Sequence, residues 1–289
     1  MKKIIIATSK AWSPISTSDK LYAEALRQYG ITVEGIPWND APLSAFTEAD
    51  AVILRSNWDY HQDLPAFQHW LSALESSTAQ VFNPIELVRW NLDKRYLLEL
   101  SEHGLPVPET RMIESVDKTL ASFDELNCSR AVIKPAWGAS GFGVELVDAA
   151  NCQAVVEHIQ QQIPDRPLLM QAFVPEIADG EHSLVFFDAQ FSHAFIKRPA
   201  EGEYRINSQY GGKNSANMDI NAALLALADS ILDILPCTPL YARIDLVLRQ
   251  NGEAVLMEVE VNEPALGLTF SADAPAHFAR ATLQRLGLA

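Results

Sequence analysis

Tyr241-Ala242-Arg243-Ile244-Asp245-Leu246-Val247-Leu248-Arg249-Gln250-Asn251-Gly252-Glu253-Ala254-Val255-Leu256-Met257-Glu258-Val259-Glu260-Val261 alternates with a period of two on both sides of Asn251-Gly252. Such alternation marks half-buried strands, and Asn-Gly between two of them signals a two-residue type I′ hairpin. If Gln250 pairs with Glu253, Asp245 lies opposite Glu258 and Arg243 opposite Glu260, with all four charged side chains on one face. The other face carries Ile244, Leu246, Leu248, Val255, Met257, Val259 and Val261 and is expected to be the core side. Two carboxylates about 5 Å apart repel by roughly 3 kcal/mol at an effective dielectric of about 20, so stability alone does not select this face. One arginine against three acids leaves negative charge that a divalent cation would neutralise. Asp245, Glu258 and Glu260 offer hard oxygen ligands suited to Mg2+ or Mn2+. The plainer alternative is a solvated charged face bridged by Arg243.

The chain has 289 residues, 48% of them hydrophobic, which suits a large core and excludes a disordered protein. Its 22 basic and 37 acidic residues give a net charge of −15, which argues against nucleic acid or an anionic membrane as partner. Cys128, Cys152 and Cys237 are widely spaced and outside any CxxC pattern; they are read as buried fillers in a reducing compartment. The opening Met1-Lys2-Lys3-Ile4-Ile5-Ile6 has too short an apolar run for a signal peptide and reads as a first strand. No stretch approaches the roughly 18 apolar residues of a membrane span, and a cytoplasmic location is expected.

Strand-like runs at residues 3–7, 32–36, 51–55 and 80–82 alternate with helical patterns at 19–29 and 64–75, predicting an N-terminal α/β unit with a parallel sheet over residues 1–90. Ligands in such sheets bind at the carboxyl ends of the strands, which points to residues 9–18 and to Arg55-Ser56-Asn57-Trp58-Asp59-Tyr60. Arg55 there is either a ligand contact or a surface salt bridge. A helix over about 91–103 opens a second unit, 91–173, and would carry Lys94 on an exposed face. Strands at 110–113, 130–134, 143–147 and 168–173 and helices near 118–126 and 150–161 complete it. A third unit, 174–289, holds strands near 183–187 and 191–197, a loop at Tyr210-Gly211-Gly212-Lys213-Asn214, a helix over 220–235, the acidic hairpin and a closing helix over 276–286.

Gly138, Ser140, Gly141 and Gly143 form a flexible turn whose N–H groups can approach phosphate. Lys134 precedes these glycines on the incoming strand and another strand leaves, which is neither a Walker A loop nor a dinucleotide fingerprint. A flap closing over a nucleotide has this form, although a glycine-rich hairpin by itself is more often only a turn.

The ordered set Asn91-Leu92-Asp93-Lys94, Val132-Ile133-Lys134-Pro135, Gly138-Ala139-Ser140-Gly141, Gln171-Ala172-Phe173-Val174, Gly180-Glu181, Arg243-Ile244-Asp245 and Glu258-Val259-Glu260 resembles the ATP-grasp superfamily over essentially the whole chain. Residues 55–60, 191–197 and 210–212 look most like the group containing the O-ureido-serine cyclo-ligase of D-cycloserine biosynthesis, with glutathione synthetase-like ligases more distant. The resemblance implies an α/β ATP-grasp fold with a preceding parallel-sheet domain, a lid subdomain and a C-terminal antiparallel subdomain. It implies that Lys94 and Lys134 contact ATP phosphates, that Gln171, Ala172, Phe173 and Val174 form the adenine hinge, and that Glu181 meets the ribose. Lys197 would reach the phosphates, Arg243 would stabilise the transferred phosphoryl group, and Asp245, Glu258 and Glu260 would hold Mg2+. Glu260 stands where the superfamily usually has Asn, which bears on the choice of ion.

These features point to an ATP-dependent ligase that activates a carboxylate as an acylphosphate for an amine or related nucleophile. A small-molecule kinase and a non-catalytic nucleotide-binding module use similar parts. Arg55, Arg205 and Lys213 are candidates for an amino-acid-like anion, Arg205 and Lys213 against the alternative of a mobile surface loop, and Trp12 and Trp58 are candidates for pocket walls. His193 is expected to pack within its sheet. An exposed face of the first unit is a candidate homodimer surface.

Overall fold

A computed structural model describes residues 2–164 and 166–288. Strands β1 (Lys3–Thr8), β2 (Thr32–Pro37), β3 (Ala51–Ser56) and β4 (Gln80–Phe82) form a parallel sheet in the order β2-β1-β3-β4. Ile4, Ile6 and Ile53 enter one core and Ile5, Ala7, Val52 and Leu54 another, which is why β1 and β3 carry near-continuous apolar runs. Strands β5 (Thr110–Ile113), β6 (Ala131–Pro135), β7 (Glu145–Val147) and β8 (Leu168–Ala172) form an antiparallel sheet ordered β5-β8-β6-β7. Helices Thr119–Glu125 and Cys152–Gln162 close its core with Phe123, Val156 and Ile159. Strands β9 (Glu181–Phe187), β10 (Gln190–Arg198), β11 (Lys213–Ala216), β12 (Tyr241–Leu248) and β13 (Ala254–Glu260) make a second antiparallel sheet, ordered β11-β10-β9-β12-β13.

The parallel sheet and the last sheet share one core. Tyr22 of helix Thr17–Gln28 stacks on Phe278 of helix Ala274–Arg285 with ring centroids 3.9 Å apart, and its hydroxyl meets Thr282 Oγ1 at 2.8 Å. Phe187 and Tyr241 join the same cluster, so the apolar area of four large aromatics binds the two sheets together. Asn83 works alongside them, with Nδ2 donating to the carbonyls of Tyr241 and Val261, both at 2.7 Å.

Four expectations change. The hairpin turn is a three-residue loop: Arg249 N–H donates to Glu253 O, Gly252 N–H donates to Arg249 O, and Gly252 has φ 86°. Asn251 Oδ1 accepts from Glu253 N–H, an Asx turn that competes with the type I′ geometry. A bulge then restores the pairing, since Leu246 faces Leu256 while Asp245 faces Glu258 and Arg243 faces Glu260. The inserted residue is Met257, so Ala254 and Leu256, not Val255 and Met257, join Ile244 and Leu246 in the core. Second, the helix over 91–103 is two helices, Ile85–Leu92 and Tyr96–Glu102; Lys94 lies between them, partly buried, with its N–H on Ala136 O at 2.8 Å. Third, Lys213 belongs to edge strand β11, not to a loop. Fourth, Cys152 is buried, but Cys128 and Cys237 are only half-buried.

Candidate active site

Strand β13 is the edge of its sheet and carries two of the acids, so its free backbone groups need partners. Side chains supply them. Asn91 Nδ2 donates to Val259 O at 2.7 Å, Asn91 Oδ1 accepts from Val261 N–H at 2.9 Å, and Tyr96 Oη both accepts from Val259 N–H and donates to its carbonyl. These bonds fix the strand that aims Glu258 and Glu260. The helix break between Asn91 and Tyr96 brings Lys94 Nζ to Glu258 at 2.7 Å and to Gly138 O at 3.1 Å.

Arg243 grips Asp245 bidentately, Nε to Oδ1 at 2.9 Å and Nη2 to Oδ2 at 2.8 Å, and also pairs with Glu260. Lys197 Nζ lies 2.8 Å from Asp245 and 2.7 Å from Glu181, and Ser183 Oγ donates to Asp245 at 2.6 Å. Burial opposes ionisation of Asp245, but Arg243 and Lys197 outweigh it and hold the carboxyl below its ordinary range. Burial likewise opposes the charge on Glu258, and Lys94 outweighs it, so that carboxyl is also lowered. For Glu260 burial prevails, Arg243 notwithstanding, and Glu258 adds to the rise. Burial raises Glu181 to about 7 against the pull of Lys197. One carboxylate oxygen from each of Asp245, Glu258 and Glu260 lies within 4.8 Å of the others. Three hard oxygen donors so gathered are of the kind that can hold a divalent ion, in exchange for part of their pairing with Lys94, Lys197 and Arg243.

Across the cleft, the loop between β6 and β7 carries Ser140, Gly141 and Gly143 at φ 56°, 73° and 69°. A Cβ on Gly143 would stand 2.9 Å from Pro135 Cγ, so the return of the chain over Pro135 requires glycine. Lys134 Nζ donates to Gln171 Oε1 at 2.9 Å, and Gln171 Nε2 donates to Thr110 Oγ1 at 2.9 Å. Burial lowers the Lys134 ammonium to about 8, with Glu258 opposing. Next to it, Phe173, Val174, Ile177, Ile206, Val247 and Met257 form an apolar wall. The bulge turns Met257 toward that wall.

The remaining candidates fall elsewhere. Arg55 is not a surface charge: it is 1% exposed, pairs with Asp19 at 2.9 Å and donates to Pro264 O at 2.8 Å. Asp19 lies 36 residues earlier and supplies the counter-charge that makes a buried arginine tolerable. Arg205 is held by Glu203 at 2.8 Å and lies 3.8 Å over the Tyr210 ring. That loop leans on the glycine flap, with Tyr204 Oη donating to Val144 O and Gln209 Nε2 to Ser140 O. Lys213 is exposed opposite Arg198 on the sheet edge, away from the acids. His193 Nε2 meets Leu266 O at 2.8 Å. Trp12 and Trp58 meet edge to face at 5.0 Å, and Trp58 Nε1 donates to Glu263 O at 2.7 Å. Tyr60 lies in the flagged loop 55–60, whereas Asn262 and Glu263 carried no expectation, because the alternation breaks where two polar residues stand side by side. No helix among the described residues is long and apolar enough to cross a membrane.

A parallel-sheet domain ahead of two antiparallel sheets, with lysines, a glycine flap and a carboxylate cluster between them, defines an ATP-grasp ligase, and the chain belongs to that family of enzymes, which form ADP and phosphate. The family described as prokaryotic glutathione synthetase, ATP-grasp domain, matches residues 94–267, and the family of the N-terminal domain of D-cycloserine synthetase DcsG matches residues 4–83. The chain is 30% identical to the cycloserine biosynthesis protein DcsG of Streptomyces lavendulae, over 98% of each. The crystal structure of D-cycloserine synthetase DcsG superposes with a TM-score of 0.85 at 27% identity, over 98% of this chain and 99% of that one. D-alanine–D-alanine ligase from Bacillus anthracis shares the fold, with a TM-score of 0.71 at 17% identity over 99% of this chain and 97% of that one.

Proposed function

We propose that the protein activates the carboxylate of an amino-acid-like small molecule as an acylphosphate, which an amine or related nucleophile then attacks. The observation that carries this is the set of four cations, Lys94, Lys134, Lys197 and Arg243, interleaved with Asp245, Glu258 and Glu260 across one cleft. Phosphoryl transfer needs charge neutralisation and alignment more than a protein nucleophile. A substrate carboxylate oxygen attacks the γ-phosphorus, and the bond to the β-phosphate oxygen breaks with its electrons leaving on ADP. The nucleophile then attacks the acyl carbon, phosphate departs, and the nucleophile's proton is lost.

Lys94 and Lys134 hold the phosphates, Lys197 approaches from the facing strand, and Arg243 neutralises the charge on the transferred group. Residues 171–174 form the adenine hinge and Glu181 meets the ribose. Asp245, Glu258 and Glu260 are the ligands for Mg2+, which neutralises phosphate charge when bound. The glycine flap, braced by Tyr204 and Gln209, keeps water from the acylphosphate. Full-length similarity to the cycloserine biosynthesis protein supports an O-substituted serine as the substrate class.

The test is ADP release from Mg-ATP against free amino acids and O-substituted serines, with hydroxylamine present and hydroxamate read in parallel. Hydroxamate formed together with ADP is expected and names the carboxylate. ADP without hydroxamate would replace the ligase with a kinase, and ATP binding without turnover would replace it with a regulatory module.

A further inference from the structure

Four acids of the cleft are matched by cations: Asp245 by Arg243 and Lys197, Glu258 by Lys94, Glu260 by Arg243 and Glu181 by Lys197. Glu263 is not. Among the described residues no basic side chain lies at ion-pair distance from its carboxylate, and it stands outside the three-carboxylate cluster that could hold an ion. Its backbone is nonetheless held firmly. Trp58 Nε1 donates to Glu263 O at 2.7 Å, Arg55 Nη2 to Pro264 O at 2.8 Å, and Asn57 Nδ2 to Asn262 Oδ1 at 3.4 Å. Arg55 at the end of β3 and Asn57 and Trp58 in the loop after it thus clamp the segment that presents this acid. Burial first, then Glu260, raises its carboxyl to about 8 against the more distant pull of Lys94.

An independent observation points to a ligand here. Of the seven buried side-chain polar atoms without a partner among the described residues, six belong to Thr8, Ser9, Ser18, Arg55, Asn57 and Asn262. These residues occupy the carboxyl ends of β1 and β3, the first turn of helix Thr17–Gln28, and the position beside Glu263. Buried polar atoms are otherwise almost always paired, and the carboxyl edge of a parallel sheet is where small molecules bind. Asn57 Oδ1 and Asn262 Nδ2 are among the six, each at most 1% exposed as a residue. Exchanging oxygen and nitrogen in both amides still leaves one acceptor and one donor free.

We infer that Glu263, with the free acceptor of the Asn57–Asn262 pair beside it, anchors the ammonium group of an α-amino acid whose carboxylate points toward Arg243. An ammonium has three donors and no acceptor, which suits one carboxylate and one amide oxygen. Tyr60, buried against the same carboxyl, and the Trp12–Trp58 pair exclude water from it. Glu263 is then a specificity residue: it selects amino acids over the corresponding hydroxy acids. The inference rests on the ligase reading for its substrate class, but its test needs no turnover.

Calorimetric titration with D-serine, L-serine and the two enantiomers of glycerate, each with Mg2+ and a non-hydrolysable ATP analogue, decides it. A charged hydrogen bond of this kind corresponds to about a ten- to hundredfold preference for serine over glycerate. Glu263→Gln should erase that preference and Glu263→Asp should keep part of it. Equal binding of serine and glycerate, binding of neither, or a preference that survives Glu263→Gln overturns the anchor. If Glu263→Gln proves unstable by its melting curve, the wild-type comparison and Glu263→Asp still decide. Failure here leaves the hydroxamate result standing, and absence of hydroxamate leaves the binding result standing.

Discussion

Raising the pH from 7 to 9 should weaken nucleotide binding about tenfold through Lys134, whose ammonium burial lowers to about 8. Among the described residues its one hydrogen-bond partner is the neutral Gln171 Oε1, 2.9 Å away, and no adjacent carboxylate locks the charge in place; Glu258 and Glu181 favour the charge from further off, and Lys94 opposes it. A group with that pKa is roughly nine-tenths charged at pH 7 and one-tenth charged at pH 9. If phosphate meets only the charged form, the apparent Kd rises about tenfold, or about 1.4 kcal/mol. Phosphate would raise the pKa on binding, so association at pH 9 takes up about one proton. Calorimetry with the Mg2+ complex of a non-hydrolysable ATP analogue, in two buffers of different ionisation enthalpy, measures affinity and proton uptake together. Lys134→Met should bind weakly at pH 7 and lose the slope. Glu263, raised to about 8, titrates over the same range, and Glu263→Gln separates its share. A change below about twofold, or a slope that persists in Lys134→Met on the Glu263→Gln background, would refute the reasoning.

Asp245→Asn should abolish ADP formation with circular dichroism unchanged, since it removes the central carboxylate of the cluster; full activity would contradict the metal assignment. Asp19→Asn should cost about 3–5 kcal/mol in urea unfolding, because it leaves Arg55 buried without its counter-charge, and a loss under about 1 kcal/mol would mean that Arg55 is not structural. Gly252→Ala meets open space but a φ of 86°, so it should destabilise by about 1 kcal/mol from backbone strain alone. An unchanged denaturation midpoint for that variant would mean that Gly252 does not hold a positive φ in solution.

The parallel sheet was legible because its central strands β1 and β3 are buried on both faces and are therefore apolar along most of their length. The pairing of Asp245 with Glu258 was legible from alternation counted back from Asn251-Gly252. What escaped depends on partners far away in the chain. Residues 90–98 contain neither proline nor glycine, and nothing local breaks their helix; the break comes from Ala136 O, which takes the Lys94 N–H, and from the demand of β13 for Asn91 and Tyr96. Arg55 could be read as ligand contact or surface charge because its partners, Asp19 and Pro264, lie 36 residues before it and 209 after. Glu263 was missed because the period-two pattern ends before it.

The extra residue in the turn and the extra residue at Met257 cancel, and that cancellation ties the register of the turn to the placement of the acids. Drawing Gln250 into pairing with Glu253, as a two-residue turn does, would reverse the parity of β13 unless the bulge closed as well, sending Glu258 and Glu260 toward the core and Val259 into the cleft. Closing both would return the acids to register but would withdraw Met257 from the wall it forms with Phe173 and Val174. A residue added or deleted within 250–252 leaves Arg249 opposite Glu253 and the acids where they are, so this surface turn stays permissive in length; what it must keep is the choice of which residues it pairs.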